Sequence, residues 1–143
     1  MIVLDTNVVS EPLKAQPDPQ VASWLDDQQI DTLYLTTITL AELRQGVAIL
    51  PEGRRKQTLG DRLERETIAL FAGRVLPFDE AASCAYAQVV LNARKAGRPI
   101  DAMDGLVAAI CATHGHTLAT RNVADFLGAG IDLINPWGDE PAG

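Results

Sequence analysis

The chain has 143 residues, is 47% hydrophobic and 22% charged, and carries a formal net charge of −7 at pH 7. This length suits one domain over residues 1–143 that buries about 70% of its unfolded surface. No apolar run approaches the ~18 residues of a membrane span, and the N-terminus lacks a signal-peptide pattern, so a cytoplasmic protein is expected. The negative net charge argues against a protein that binds nucleic acid by charge alone.

The first fifty residues predict two short strands and three helices. They are a strand at 2–4, a short helix at 8–14, a helix that begins at Pro19, a strand at 33–36 and a helix at 38–50. The strands are short runs of apolar and β-favouring residues, and apolar residues recur every three or four positions in the helix after Pro19. The helix at 38–50 is apolar at almost every angle, so we expect it to be largely buried.

The remaining sequence continues the alternation of helices and strands. A polar helix is predicted at 54–72, a strand at 75–76, a long helix at 80–96, an apolar helix at 102–113, and strands at 117–120 and 131–134. Such alternation is typical of a parallel sheet covered by helices on both faces. Ligands of these folds bind beyond the carboxyl ends of the strands, and Asp5 follows the first strand at such an end.

Charge is distributed unevenly along the chain. Residues 53–74 carry six Lys and Arg against three acids, whereas 1–43 hold only Lys14 against seven acids and 99–143 only Arg121 against six. The basic segment is either a solvated helix face or a surface for RNA or a partner, and the sequence leaves both open. The candidate contacts with RNA or a partner are Arg54, Arg55, Lys56 and Arg121.

The cysteines and histidines do not form a zinc-binding pattern. Cys84 and Cys111 each lie in Ala-rich helical sequence, where a cysteine usually packs as a small buried hydrophobe. His114 and His116 flank Gly115, which fits the glycine that ends a helix. We therefore expect no zinc site.

Three acids stand where an isolated charge is costly. Asp5 ends the first buried strand, Glu42 lies within the apolar helix at 38–50, and Asp104 begins the apolar helix at 102–113. Desolvation and mutual repulsion would raise their pKa values unless a divalent cation restores the charge balance. A ligand set made only of oxygen atoms favours Mg²⁺ or Mn²⁺ over Zn²⁺.

Each acid also has an ordinary structural explanation. Asp5 could cap the helix that follows it, and Glu42 could lie at a solvated helix edge. Asp101 and Asp104 are three residues apart, as in a capping box with Asp101 at the N-cap. Spacing alone therefore leaves the site open.

Four sequence segments together resemble the PIN-domain nucleases. They are Leu4-Asp5-Thr6-Asn7, Thr39-Leu40-Ala41-Glu42-Leu43, Gly97-Arg98-Pro99-Ile100 leading to Asp104, and Thr120-Arg121-Asn122-Val123-Ala124-Asp125-Phe126. Each segment alone is weak evidence, but their order and spacing across nearly the whole chain are specific. Within that family, the chain is most similar to the VapC-type toxins of bacterial toxin-antitoxin pairs, and among those to the FitB-like members.

The resemblance implies a PIN-like α/β/α sandwich with a central parallel sheet. It also implies that the protein is an endoribonuclease that depends on Mg²⁺ (or Mn²⁺) and hydrolyses RNA with metal-activated water. It makes Asp5, Glu42 and Asp104 the catalytic metal ligands. Supporting positions around them would be Thr6, Thr120, Asn122 and Asp125. It also implies a homodimer and a DNA-binding antitoxin partner of the VapB or FitA type.

One departure from the family concerns Asn122. Many members carry a fourth acid at this position, and an N-cap at Asn122 with Asp125 in the first helical turn explains both residues structurally. The number of metal ions is therefore left open. The alternative that the chain is a catalytically weak PIN-like protein, acting as a binding partner in an antitoxin–DNA complex, is left open as well.

Two other folds also carry an acidic residue at the end of the first strand, but they fit this sequence poorly. A haloacid-dehalogenase-type phosphatase needs a second Asp where this chain has Asn7, and a response-regulator receiver domain needs a lysine after a late strand, whereas no Lys follows Lys95.

Overall fold

Five short parallel strands form one sheet in a computed structural model that describes residues 1–138. The strands are β1 (Ile2–Leu4), β2 (Leu33–Thr36), β3 (Val75–Leu76), β4 (Thr117–Ala119) and β5 (Leu133–Ile134). Their spatial order is β3-β2-β1-β4-β5. The predicted α/β fold with a central parallel sheet is therefore confirmed. One domain over 1–143 stays a prediction, because residues 139–143 lie outside the described residues.

Seven helices connect the strands in the described part of the chain. They are α1 (Thr6–Val9), α2 (Pro19–Asp26), α3 (Thr37–Ala48), α4 (Arg54–Arg62), α5 (Glu80–Lys95), α6 (Ala102–His114) and α7 (Val123–Phe126). Beyond α4 the chain continues as one wide helical turn (Leu63–Thr67) and one tight turn (Ile68–Phe71). Within residues 1–138, no helix is long and apolar enough to cross a membrane.

Alternate residues of each strand supply the two cores of the sandwich, as the two-residue period of a strand requires. Leu4 packs on one face with Leu43 of α3, and the neighbouring Val3 packs on the other with Val107 of α6. The first face is covered by α1, α2, α3 and the two turns that follow α4, and the second by α5, α6 and α7. Both layers are needed because every strand is apolar on both sides.

Four predictions about the elements differ from the structure. The helix predicted at 54–72 is regular only over α4 and continues as the two turns at Leu63–Thr67 and Ile68–Phe71. The helix predicted at 8–14 is α1 followed by a separate tight turn at Glu11–Leu13, because Pro12 has no N–H to continue a helix. The strand predicted at 131–134 is shorter in the structure, where β5 covers only Leu133–Ile134. The expected burial of the helix at 38–50 is wrong, since only Thr39 and Leu43 of α3 are buried and Ile49 beyond its end is 75% exposed.

The predictions for the cysteines and the helix-ending glycine have different outcomes. Cys111 is buried in α6, but Cys84 is exposed, so the prediction for Cys84 is wrong. The buried stripe of α5 runs through Ala82 and Val89, and Cys84 lies off that stripe. Gly115 ends α6 in the left-handed conformation, at φ 66°, which confirms the predicted helix end.

The order of the strands leaves a natural site between β1 and β4. The chain builds β2 and β3 on one side of β1 and then crosses to place β4 and β5 on the other. Leu4 pairs with Ala119 at the carboxyl ends of these two strands. Helix connections leave in opposite directions at this point and open a crevice there.

Candidate active site

Asp5 lies at the floor of this crevice and is only 7% exposed. Its backbone N–H still follows the sheet and donates to the Ala119 carbonyl at 2.9 Å. Its side chain caps α1, because Oδ1 accepts from the Thr6 N–H at 2.9 Å. Oδ2 accepts from the Thr120 hydroxyl at 2.8 Å. The capping explanation for Asp5 is thus correct, and the second oxygen faces β4 as well.

Thr120 connects the two central strands through its buried hydroxyl group. Thr120 is completely buried. Its hydroxyl donates to Asp5 and accepts from the Asn122 N–H at 3.1 Å. Asn7 helps to hold this turn, since its Oδ1 accepts from the Arg121 N–H at 3.2 Å. Thr120 therefore orients Asp5 and fixes the turn after β4 at the same time.

Glu42 reaches the crevice from α3. Thr36 at the end of β2 caps that helix by accepting from the Thr39 N–H at 3.1 Å, which sets where α3 begins. Glu42 is half-buried, and its Oε1 accepts from the Thr6 hydroxyl at 3.1 Å. Thr6 therefore contacts both acids, with its N–H on Asp5 and its hydroxyl on Glu42.

Asp104 enters from the first turn of α6. Asp101 caps this helix by accepting from the Met103 N–H at 3.2 Å, so the predicted N-cap is confirmed. Burial raises the pKa of the Asp104 carboxyl to about 6, with further contributions from the charges of Asp5 and Asp101 and of the acids Asp125 and Glu42. The N-terminal turn of a helix favours an anion, but burial and this repulsion together outweigh that effect.

The three acids share one negative field. Burial raises the pKa of Asp5 despite its two hydrogen bonds, and it raises the pKa of Glu42, which Asp5 also repels. None of the ion pairs within residues 1–138 involves Asp5, Glu42 or Asp104. The structure thus brings the three predicted residues together without a basic partner among the described side chains.

The chemistry of this donor set fits a divalent cation such as Mg²⁺ or Mn²⁺. It consists of carboxylate oxygens with threonine hydroxyls beside them, and hard cations prefer oxygen ligands. In the described part of the chain, no three His, Cys, Asp or Glu side chains form a ready-made metal cage. Three like charges repel one another, and a cation is the group that would draw them closer.

Asn122 and Asp125 lie at the rim of the crevice. Asn122 occupies the N-cap position of α7, but its side chain makes no capping hydrogen bond. Asp125 lies in the first turn of the same helix, and its charge raises the pKa of Asp5 and of Asp104. The predicted N-cap position is confirmed, while the expected side-chain cap is absent.

The predicted basic contacts are in three different settings. Arg54 and Arg55 are exposed at the start of α4. Lys56 instead donates to the Ala48 carbonyl at 3.1 Å and pairs with Glu52 at 2.6 Å, which holds its ammonium group against the chain. Arg121 lies over the ring of Trp137, 5.1 Å from its centre.

One further cation near the crevice, Lys14, was not predicted from the sequence. Lys14 lines a cavity together with Thr6 and Glu42, although it stands alone in an acidic segment. Its position depends on Glu11, with which it forms an ion pair at 2.8 Å. A Lys three residues after an acid was the available signal, but that spacing is common on any solvated turn.

Known proteins resemble this chain over its whole length. The family model of the PIN domain matches residues 2–126. VapC ribonuclease Y4jK of Sinorhizobium fredii is 51% identical over 142 residues, which are 99% of this chain and 100% of that protein. Toxin FitB of Neisseria gonorrhoeae is 48% identical over 139 residues, which are 97% and 100% of the two chains.

The solved structure of FitAB bound to an IR36 DNA fragment has the same fold. It superposes with a TM-score of 0.94 at 45% identity and covers 100% of both chains. All four sequence segments that carry the resemblance fall within the part matched by the family model. This chain belongs to the PIN domain family.

Proposed function

We propose that this chain is a Mg²⁺-dependent endoribonuclease and the toxin of a type II toxin-antitoxin pair. The observation that carries the proposal is the convergence of Asp5, Glu42 and Asp104 at the crevice between β1 and β4 without a basic partner among the described residues. Mn²⁺ would serve the same donor set. The relatives named ribonuclease and toxin support the substrate class and the biological role.

A divalent cation bound by these carboxylates would supply Lewis-acid stabilisation of phosphate charge and activation of water for hydrolysis. The side chains of the protein do the positioning. Thr120 holds Oδ2 of Asp5, and Thr6 holds Oδ1 of Asp5 and Oε1 of Glu42, so neither acid rotates freely. No covalent nucleophile is required for this chemistry.

The test is RNA cleavage by the purified chain in Mg²⁺, with excess chelator and an Asp104→Asn variant as comparisons. We expect cleavage to stop in chelator, to return with Mg²⁺ or Mn²⁺, and to be lost in the variant. The melting temperature should rise with Mg²⁺ in the parent, because the ion binds only the folded site, and should rise less in Asp104→Asn. Full cleavage in chelator would contradict the proposal.

The proposed partner is a DNA-binding antitoxin of the VapB or FitA type. The solved relative that contains FitAB and DNA supports this assignment. The chain itself is proposed to form a homodimer, with a mass in solution of twice its own 15.4 kDa. If a short reading frame lies directly upstream, co-expression of the two products should give a complex that co-purifies and binds the promoter DNA. Failure to recover any partner would count against the toxin assignment.

The second candidate is a catalytically weak PIN-like protein that serves as a binding partner in an antitoxin–DNA complex. Asn122 favours it, because a neutral amide contributes no charge toward cation binding. An Asn122→Asp variant separates the two functions. If the chain is a nuclease that uses this position, the variant should reach half-maximal cleavage at a lower Mg²⁺ concentration. A variant and parent that are equally inactive would favour the binding partner.

A further inference from the structure

A groove leads away from Glu42 along α4. Its inner part is a cavity of about 370 Å³ that includes Thr6 and Glu42, and its outer part is a cavity of about 770 Å³ along α4. The two parts share Leu13, Lys14, Arg55 and Leu59 in their walls. We call this continuous surface the α4 groove. It connects the carboxylate site with the basic segment at residues 53–74.

The charge of the α4 groove changes along its length. The outer part is lined by four cations, Lys14, Arg54, Arg55 and Arg62, and by no acid. Arg54 and Arg55 take part in no ion pair within residues 1–138. Lys14 pairs with Glu11 at 2.8 Å, and Arg62 faces Glu66 at a distance of 3.6 Å. The inner part carries Glu42. A positive channel therefore ends at a negative site in a protein with a net charge of −7.

We propose that the α4 groove binds the sugar-phosphate backbone of single-stranded RNA next to the scissile bond, with Arg55 as the central phosphate contact. This inference rests on the proposed function, since it names where the substrate of that site lies. Arg55 lines both parts of the groove, so it stands between the carboxylates and the outer cations. A polyanion satisfies these cations along its whole length and brings a phosphodiester to Glu42.

The size and lining of the groove favour a single strand. Cavities of 300 to 1,000 Å³ hold molecules of the size of a drug, so each part of the groove has room for a nucleotide of an extended strand. Leu13 and Leu59 line both parts and offer apolar surface to bases or riboses between the cations. Bases that are splayed out of a helix are the usual targets of RNA-binding surfaces.

The test compares Arg55→Gln with Arg65→Gln, both in an Asp104→Asn background that leaves the RNA intact. Arg65 is also an exposed arginine, but it lines neither part of the groove and forms no ion pair within residues 1–138, so it is a matched control. The probe is a fluorescein-labelled oligouridine dodecamer, and anisotropy gives the Kd over a series of salt concentrations. We expect the slope of log Kd against log salt to fall by about 0.7 in Arg55→Gln, the value for one phosphate contact.

Arg65→Gln should keep the parent's slope, and Arg55→Lys should restore it. In the active background Arg55→Gln should raise KM for RNA cleavage while kcat stays near that of the parent, because the groove lies beside the reacting groups. An equal slope and Kd in Arg55→Gln and Arg65→Gln would overturn the inference. The inference would also be overturned if Arg55→Gln no longer bound the co-expressed protein partner but bound the oligouridine as before. The groove would then be a binding site for the partner protein.

The two proposals fail in different ways. If the parent cleaves RNA and Arg55→Gln binds the probe like Arg65→Gln, only the groove assignment is wrong. If the parent cleaves no RNA but the salt slope still depends on Arg55, RNA binding by the groove stands, while the nuclease assignment and the position next to a scissile bond fall.

Discussion

The hydroxyl of Thr120 is the most constrained polar group of the site. It is fully buried, donates to Asp5 and accepts from the Asn122 N–H. The Asn7 amide also donates to this hydroxyl, at 3.5 Å. A Thr120→Val variant keeps the shape but leaves these partners without the hydroxyl, so we expect a loss of about 1–3 kcal/mol in the free energy of unfolding. Urea denaturation in chelator measures this loss.

The same substitution should also affect cation binding. The hydrogen bond from Thr120 lowers the pKa of Asp5 and so opposes the effect of burial. Without it the acid holds its proton to higher pH, and the Mg²⁺ concentration for half-maximal cleavage should rise. Thr120→Ser retains the hydroxyl and is the control for both measurements. A Val variant as stable as the Ser variant would show that the hydroxyl does not hold the site.

Asp104 makes the metal-free stability depend on pH. Its pKa in the folded chain is raised from 3.8 to about 6, so between these values the folded state binds more protons than the unfolded state. The contribution is favourable below about pH 4 and is lost as the pH rises through 6. Asp5 and Glu42 act in the same direction, because their pKa values are also raised.

We therefore expect this group of acids to lower the melting temperature in chelator as the pH rises from 4 to 7. Asp104→Asn should flatten that decline, since the amide does not titrate and repels no neighbour. Mg²⁺ should restore stability mainly at the upper end of the range, where the carboxylates are ionised. Parallel pH profiles of the parent and the Asn variant, both in chelator, would show that the pKa of Asp104 is not raised in the folded chain.

At the scale of elements, the strands and the long helices were predictable because their apolar spacing is regular. The predicted strand at 33–36 and the predicted helix at 102–113 agree with β2 and α6 to within one residue. The burial of α3 was not predictable, because its exposed positions include the small residues Ala41 and Gly46, which look apolar in a sequence whichever way they face. Binary pattern separates polar from apolar positions, but it does not tell which apolar positions a neighbour covers.

Gly105 determines how closely α6 approaches α5. A Cβ at this position would stand 2.9 Å from Cε2 of Tyr86, whose ring also packs edge-on against Phe78. Gly105→Ala gains up to ~1 kcal/mol of helix propensity, while overpacking costs about 1–3 kcal/mol. We therefore expect a net decrease in the free energy of unfolding, together with weaker Mg²⁺ binding, because the neighbouring Asp104 moves with the helix.

The partner substitution Tyr86→Leu provides the control for this contact. It removes the ring edge, so Gly105→Ala should cost less in the Tyr86→Leu background than alone, and a double-mutant cycle from urea denaturation measures the difference. Additive effects of the two substitutions would exclude the contact as the cause.

At the scale of the whole molecule, the acids of the site come from distant parts of the sequence. Asp5, Glu42 and Asp104 were named from the sequence because three unpaired acids in apolar surroundings coincide with the family segments. Their hydrogen bonds through Thr6 and Thr120 depend on the register of β1 and β4, which no local pattern specifies. The α4 groove was hidden for the same reason, since Lys14 and Arg55 are far apart in sequence and meet only in the fold.

The negative crevice also predicts how the proposed antitoxin and Mg²⁺ affect each other. A basic residue of the partner that enters the crevice would offset the repulsion among Asp5, Glu42 and Asp104, so it would use the same charge as the cation. Two ligands of one site weaken each other's binding, and the effect is reciprocal. Calorimetric titration of the chain with its co-encoded partner should therefore show a Kd that rises with Mg²⁺ more than with NaCl at equal ionic strength. Asp104→Asn should reduce this difference, and equal Kd values in the two salts would place the partner's basic residue outside the crevice.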